Sequence, residues 1–289
     1  MLSTTPRYSE VPTHRPSMRS LFESTLNKSV VQGLPPKEIG ALPIVESTGP
    51  ILIKLIIDAN YTVLMDTMST ERERSDAFVN LVKLRTQNVL TNRQMDYLID
   101  KLEELSAGKL FHKLILNGMD LAGFDLSRLD LSESQLCATD LSNTNLSETT
   151  LFKVNMCLAK LSHANLTRAN LRQANLMEAN LYKATLIEAK LIRADLTDAI
   201  LILADLRKAT LYRATLIRAN LTEANLINAT LIKANLFFAI LYNAILINVN
   251  FTEANLTKAN LIAAHTDEAT LVSLKEAILI DVTWKPSKL

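Results

Sequence analysis

At 289 residues and 48% hydrophobic content, the chain has room for one to three domains and a substantial core. Its net charge of +1 gives no global case for nucleic-acid binding or for acidic mimicry. No run of 18 apolar residues occurs and the N-terminus lacks a signal-peptide core, so a soluble, cytoplasmic protein is expected.

Residues 1–50 hold seven of the eight prolines, together with many Ser and Thr. That composition predicts a disordered leader, and it also resembles the leaders of proteins translocated into a host cell by specialised bacterial secretion systems. Residues 51–110 change character to helix. Ile51–Met68 is strongly apolar but interrupted by Lys54, Asp58 and Asp66, the pattern of an amphipathic helix. Thr70-x-x-Glu73 and Thr91-x-x-Gln94 match capping boxes that start two further helices, and Gly108 is placed to end the last. This small bundle is expected to dock on the first coil of the repeat segment C-terminal to it and to cover that coil's open edge.

From residue 111 to 272 one five-residue unit repeats without insertion or deletion, as in Ala169-Asn170-Leu171-Arg172-Gln173. With the Leu called position i, 29 of the 32 positions from 116 to 271 are Leu, the exceptions being Met156, Phe251 and Thr266. Position i−2 is Ala in 22 of the 23 registers from 159 to 269, broken only by Val249. A period of five leaves no apolar stripe on a helix and alternates faces on a continuous strand. It works only if the chain turns after every unit. Residues i−2 and i then point inward from a short extended segment, and i+1 and i+2 make the corner. Asn, Asp or Thr at i−1 can hydrogen-bond the turning backbone or form ladders between coils. The result is a solenoid of stacked parallel ladders. The larger i−2 residues Leu114, Met119, Phe124 and Leu129 suit a broader mouth to its bore.

This pattern resembles that of the pentapeptide-repeat family, A-(N/D)-L-x-x. The resemblance implies a right-handed quadrilateral parallel β-helix with 20 residues per coil, hence about eight coils here. It further implies dimerisation through a solenoid end as one arrangement. Residues 273–289 are expected to form a C-terminal cap and tail. There Ser273-x-x-Glu276 is a capping-box match, and Leu274, Ala277, Ile278 and Trp284 are placed to cover the last coil. The terminal Ser287-Lys288-Leu289 matches a peroxisomal address and is read as coincidence.

Chemistry is sparse. All six Gly lie at or before Gly123, so no phosphate-cradling loop interrupts the coils. His14, His112, His163 and His265 are scattered, with no Cys, Asp or Glu at metal-ligand spacing. The unbroken phase leaves no inserted loop for a catalytic site, so no enzyme, no cofactor and no metal is expected. Cys137 and Cys157 are 20 residues apart, both at i+1, and one coil stacks them within disulfide range. In a reducing cytosol the expected state is a pair of thiols.

Sorted by their place in the coil, the i+1 and i+2 residues form a basic-apolar stripe. It contains Phe152, Lys153, Arg172, Ile192, Arg193, Tyr212, Arg213, Ile232 and Lys233. A neighbouring column alternates sign through Arg128, Glu148, Arg168, Glu188 and Lys208, so it is expected to satisfy itself. Ile202, Leu203, Phe237, Phe238 and Tyr242 form a secondary apolar patch. The leading expectation is a non-enzymatic protein-interaction scaffold whose stripe binds an acidic protein or an anionic membrane surface. A translocated bacterial effector is one form of it. Two alternatives come from other classes. One is a DNA-mimic regulator of a type II topoisomerase, an activity some family members have. Residues 111–275 carry 16 Lys and Arg against 15 Asp and Glu, which disfavours that reading, and nucleic acid itself is disfavoured as a partner. The other is a structural spacer between the terminal modules.

Overall fold

The structure, a computed structural model, describes Phe78–Val79 and residues 111–284. The leader at 1–50, nearly all of the helical segment at 51–110 and the last five residues lie outside the described residues. The chain divides into two compact units, Met1–Leu55 and Ile56–Leu289, and all described residues belong to the second.

From residue 111 to 266 the chain turns four times in every 20 residues. Each i−1 residue pairs in parallel with the residue 20 positions on, from Ile115↔Gln135 through Ile240↔Asn260. Near the end the pairing lengthens into β1 (Ile245–Leu246) and β2 (His265–Thr266), also parallel. Four turns per coil make a four-sided solenoid, and 156 residues at 20 per coil make just under eight coils.

The units Thr144–Glu148 and Ala164–Arg168, with Asn at i−1, satisfy every backbone donor. In the pentad centred on Leu166, Asn165 N donates to Thr144 O of the coil before (2.9 Å), and Leu166 N to Thr185 O of the coil after (2.7 Å). Arg168 N donates to Ile187 O (2.8 Å), and Ala169 N closes the turn on Leu166 O (3.0 Å). The remaining donor, Thr167 N, is taken by the Asn165 side chain at 3.1 Å. This is why Asn or Asp recurs at i−1: its side chain supplies the acceptor the turn lacks. Asn also ladders between coils, as in Asn165 to Asn145 and Asn175 to Asn155.

The turn sets a second rule. Every i+2 residue from Lys113 to Ala263 has a positive φ, between 54 and 71°. The i+1 residue does not, which is the sign pattern of a type II turn. Val, Ile and Thr, whose branched Cβ collides with the backbone in this region, occupy i+1 repeatedly (Ile192, Ile202, Ile232) and i+2 never.

The bore is filled by Leu at i and Ala at i−2, which from Ala159 to Ala264 are at most 1% exposed. Each buried Leu contributes roughly 1.5–3 kcal/mol of transfer free energy. At the broad mouth Leu114 and Leu129 are buried, whereas Met119 and Phe124 are only partly so. Phe78, in helical conformation and fully buried, meets Phe111 edge-on at 5.2 Å. One coil further in, i−2 is a ring of buried hydroxyls: Ser134, Thr139, Thr144 and Thr149 donate to Phe111 O, Leu116 O, Leu121 O and Leu126 O. The repeat pattern gives no sign of this polar ring between the large-residue mouth and the Ala-lined bore.

The C-terminal end differs from expectation. The sequence phase runs to Leu271, but the coils stop at Thr266, ahead of the boundary at 272. The helix α1 is Glu268–Leu274, capped by the Asp267 side chain accepting from Thr270 N. Thr266 cannot fill the bore as Leu does, and Asp267 offers a cap in the next position. Ala269 and Leu271 keep the repeat phase but sit on the helix, Ala269 exposed and Leu271 half-buried. Ser273 therefore lies inside α1 and starts no helix; its hydroxyl donates to Val249 O, as Thr270 donates to Leu246 O. These hydroxyls also accept from Val249 N and Phe251 N, the latter a donor that a further coil would otherwise have taken. Leu274 is buried, whereas Ile278 is 49% exposed and pairs with Asn255, followed by Thr283 with Asn260. No described helix is long and apolar enough to cross a membrane.

Candidate interaction surface

The four corners carry the variable residues and the flat sides between them carry the i−1 rows. The predicted basic-apolar stripe is one corner. Its backbone is tied coil to coil by Lys153 N to Arg172 O, Gln173 N to Ile192 O, Arg193 N to Tyr212 O and Arg213 N to Ile232 O, each at 3.0 Å. All nine stripe residues thus share one ridge. Phe152, Ile192, Tyr212 and Ile232 are half-buried, while Lys153, Arg172, Arg193 and Arg213 are exposed. Lys153 lies over the Phe152 ring at 5.1 Å and Arg213 over Tyr212 at 5.3 Å, so these cations cover the apolar groups beside them. Lys233 is half-buried and pairs with Glu253 at 3.3 Å. Arg172 and Arg193 have no ion pair among the described residues.

The alternating corner satisfies itself. Arg128 pairs with Glu148 (3.3 Å), and Glu188 takes both Arg168 (2.9 Å) and Lys208 (3.6 Å). The Arg168 hydrogen bond holds the Glu188 carboxyl below its usual range and raises the Arg168 guanidinium. These exposed pairs contribute little to stability.

The secondary patch is where the structure adds most. Ile202, Leu203 and Tyr242 lie on one corner, and Phe237 and Phe238 on the preceding one, in edge contact at 4.6 Å. The flat side between these two corners carries the row Lys160, Asn180, Ile200, Asn220, Ile240 and Asn260. Ile200 and Ile240 are 39% and 37% exposed, in a slot filled by Asn, Asp or Thr in most units. They form the floor of a side whose rims are Leu203 (38%), Tyr242 (44%) and Phe238 (45%). Lys258 lies over the Phe238 ring at 5.0 Å, and Arg218 makes a bidentate pair with Asp198 at the same corner. Isoleucine cannot accept from the i+1 N–H, so Ile200 and Ile240 give up the turn hydrogen bond that Asn supplies elsewhere. The sequence carries that signal, an Ile in the Asn slot, and sorting the corner residues alone passes over it. A third apolar group, Val272, Ile278, Leu279 and Ile280, is exposed at the C-terminal end.

Cys137 and Cys157 are joined in a disulfide across adjacent coils, Cα to Cα 4.7 Å, which corrects the expectation of two thiols. The stacking that brings the two i+1 positions to the coil spacing is what permits it. Among the described residues, no three of His, Cys, Asp and Glu gather as a metal site.

Comparison with known proteins places these features in a family. The pentapeptide-repeat model matches in eight copies, over residues 130–156, 159–198, 199–237 and 234–265. Among solved structures, the chain is similar to HetL, a pentapeptide repeat protein involved in heterocyst differentiation regulation from Nostoc sp. strain PCC 7120. The two share 29% identity over 64% of this chain and 93% of that one, with a TM-score of 0.42. It is also similar to QnrB1, a plasmid-mediated fluoroquinolone resistance protein (19% identity, 60% and 91% coverage, TM-score 0.28). A third is a pentapeptide repeat protein from Cyanothece 51142 (22%, 65% and 99%, TM-score 0.19). No curated relative matches the chain. With eight matched repeat copies on a four-sided, 20-residue coil, residues 130–265 belong to the pentapeptide-repeat family, whose fold is a right-handed quadrilateral β-helix.

Proposed function

We propose that the protein is a non-enzymatic interaction scaffold, and that its working surface is the apolar side floored by Ile200 and Ile240. The observation that carries this reading is the replacement of a turn-stabilising Asn by exposed Ile at two positions, both between apolar rims. Exposed apolar side chains grouped in this way, here with Asn220 between the two isoleucines, are a feature of recognition surfaces. Two coils separate the isoleucines, so they stand about 10 Å apart. The fitting partner is a protein segment that presents apolar side chains at that spacing and little charge. Substituting Ile200→Asn with Ile240→Asn restores the repeat's own residue at both sites and leaves the coil intact. Captured proteins lost in this variant, and kept when Arg193, Arg213 and Lys233 are changed to Glu, support the reading. Identical captures by wild type and the Asn variant overturn it.

The basic ridge supports a second reading, binding of an acidic protein or an anionic membrane surface, because Arg172 and Arg193 have no ion pair among the described residues. Loss of capture in the Glu variant alone selects it. A duplex mimic needs columns of carboxylates, and this ridge offers cations instead.

A further inference from the structure

The geometry points to a soft-metal site in the reduced protein, formed by the Cys137 and Cys157 thiolates with the Met177 thioether. These three residues occupy the same i+1 position on three successive coils of one corner, a column of sulfur side chains. The ladder fixes their backbones: Ala138 N donates to Cys157 O (2.8 Å) and Leu158 N to Met177 O (2.9 Å). Their own N–H groups are held by side-chain acceptors, Cys137 N by Asn117 at 2.8 Å, Cys157 N by Asn155 at 3.4 Å and Met177 N by Asn175 at 3.1 Å. Both ends of each residue are therefore set before any ligand arrives.

The spacing selects the ion. The two cysteine Cα atoms stand 4.7 Å apart. Side chains projecting in parallel from them keep their sulfurs near that separation once the disulfide is opened. A zinc–thiolate bond is about 2.3 Å, and two metal–thiolate bonds of that order in line span about 4.6 Å, close to the coil spacing. Met177 lies one coil on, is 38% exposed, and has three rotatable bonds with which to bring its sulfur back towards such an ion. Soft sulfur donors without carboxylates reject Mg2+ and Ca2+. Zn2+ asks for four tetrahedral ligands, and no third His, Cys, Asp or Glu joins the pair among the described residues. Cu(I), content with two thiolates and a thioether, fits.

Oxidation state controls the site. In the disulfide form the sulfurs are bonded to each other and hold no cation. A thiol reductant delivers two electrons and two protons, leaves as its own disulfide, and frees two thiols. Cu(I) then displaces both protons and binds the two thiolates, so affinity rises with pH.

The test titrates the full-length protein with Cu(I) anaerobically against a colorimetric Cu(I) chelator, after reduction and removal of the reductant. The expected result is one Cu(I) per reduced chain and none per oxidised chain. Cys137→Ser and Cys157→Ser should each abolish competition with the chelator. Met177→Leu should weaken binding at least about tenfold, since even outer-shell partners of a metal contribute 10–100-fold. Zn2+ should not compete at equal concentration. All three side chains face outward, and circular dichroism of each variant checks that the coils persist. Failure of the reduced protein to compete, or binding unchanged in Met177→Leu, overturns the three-sulfur assignment.

Discussion

The absence of β-branched residues at i+2 makes a prediction that isolates one physical effect. Leu203 sits at i+2 with φ of 59° and is 38% exposed, and Ile202 precedes it at i+1 outside the left-handed region. Changing Leu203→Ile moves one methyl from Cγ to Cβ and leaves composition, volume and charge unchanged. The side chain is outside the bore and partly in solvent, so less packing is at stake than at a core position. What changes is the collision of the branched Cβ with a backbone held at positive φ. An ordinary L-residue already loses roughly 1–2 kcal/mol there, and residues in sparsely populated regions cost roughly 1–3 kcal/mol. Leu203→Ile should therefore destabilise by about 1–2 kcal/mol. Over a domain of this size that is a fall in Tm of about 2–8 °C, at 2–4 °C per kcal/mol. The control is Ile202→Val, which should remain within about 0.5 kcal/mol of wild type. Leu203→Asn should match or exceed wild type, since Asn tolerates the left-handed region. Thermal and urea unfolding followed by far-ultraviolet circular dichroism reads all three. If Leu203→Ile is as stable as Ile202→Val, the turn does not exclude β-branched residues and the reasoning fails.

The interior and the C-terminal end supply the other expected outcomes. Thr144→Val keeps the shape of the buried side chain but removes its hydrogen bond to Leu121 O, and should cost about 1 kcal/mol in urea denaturation. Leu201→Ala, at a fully buried i position, should cost about 2–5 kcal/mol. Ala204→Leu should also destabilise, by overpacking, by about 1–3 kcal/mol in the same assay. Asp267 is pushed up by burial, but donors from Thr270 and Asn248 outweigh this and leave its carboxyl below the ordinary value of 3.8. A depressed carboxylate contributes stability that is present above the unfolded pKa and is lost as pH falls through the folded one. Amide exchange in α1 should therefore accelerate below about pH 4 in wild type. Asp267→Asn should show no such step.

How much of the molecule was legible in the sequence depended on whether a residue repeats. Leu at i and Ala at i−2 recur often enough to specify an inward pair, a turn and a stack, so the interior followed from period alone. Corner columns followed too, because a 20-residue coil sorts Phe152 through Lys233 onto one ridge. The terminal events were not legible in that way. Ala269 and Leu271 keep the repeat's phase, and nothing in a pattern count says that Thr266 and Asp267 have already turned the chain into a helix. Only a local argument, a short polar side chain in the bore followed by an N-cap, competes with the repeat. The ring of Ser134, Thr139, Thr144 and Thr149 escaped for a related reason. Each looks like a conservative stand-in for Ala, and its hydroxyl matters only because one coil places it under a carbonyl 23 residues back.

The same logic bears on where function resides in a solenoid. Positions i and i−2 are fixed by the bore, and i+2 is restricted by its φ. Position i−1 is drawn towards Asn and Asp by the unpaired N–H of the turn. Only i+1 is free, so apolar residues there, such as Ile192 or Ile217, need no explanation beyond β-propensity. Ile200 and Ile240 are different, because they occupy a slot where the architecture has its own preference and forgo it. Both lie on one side, two coils apart, with Leu203, Tyr242 and Phe238 on the rims. Isoleucine also takes this slot at Ile115 and Ile245, each half-buried on another side; Ile200 and Ile240 are the pair that share a side and are exposed. A partner that covered the isoleucines would offset the lost turn hydrogen bonds, which is why the proposed scaffold function is assigned to this side before the charged ridge, whose cations already lie over Phe152 and Tyr212.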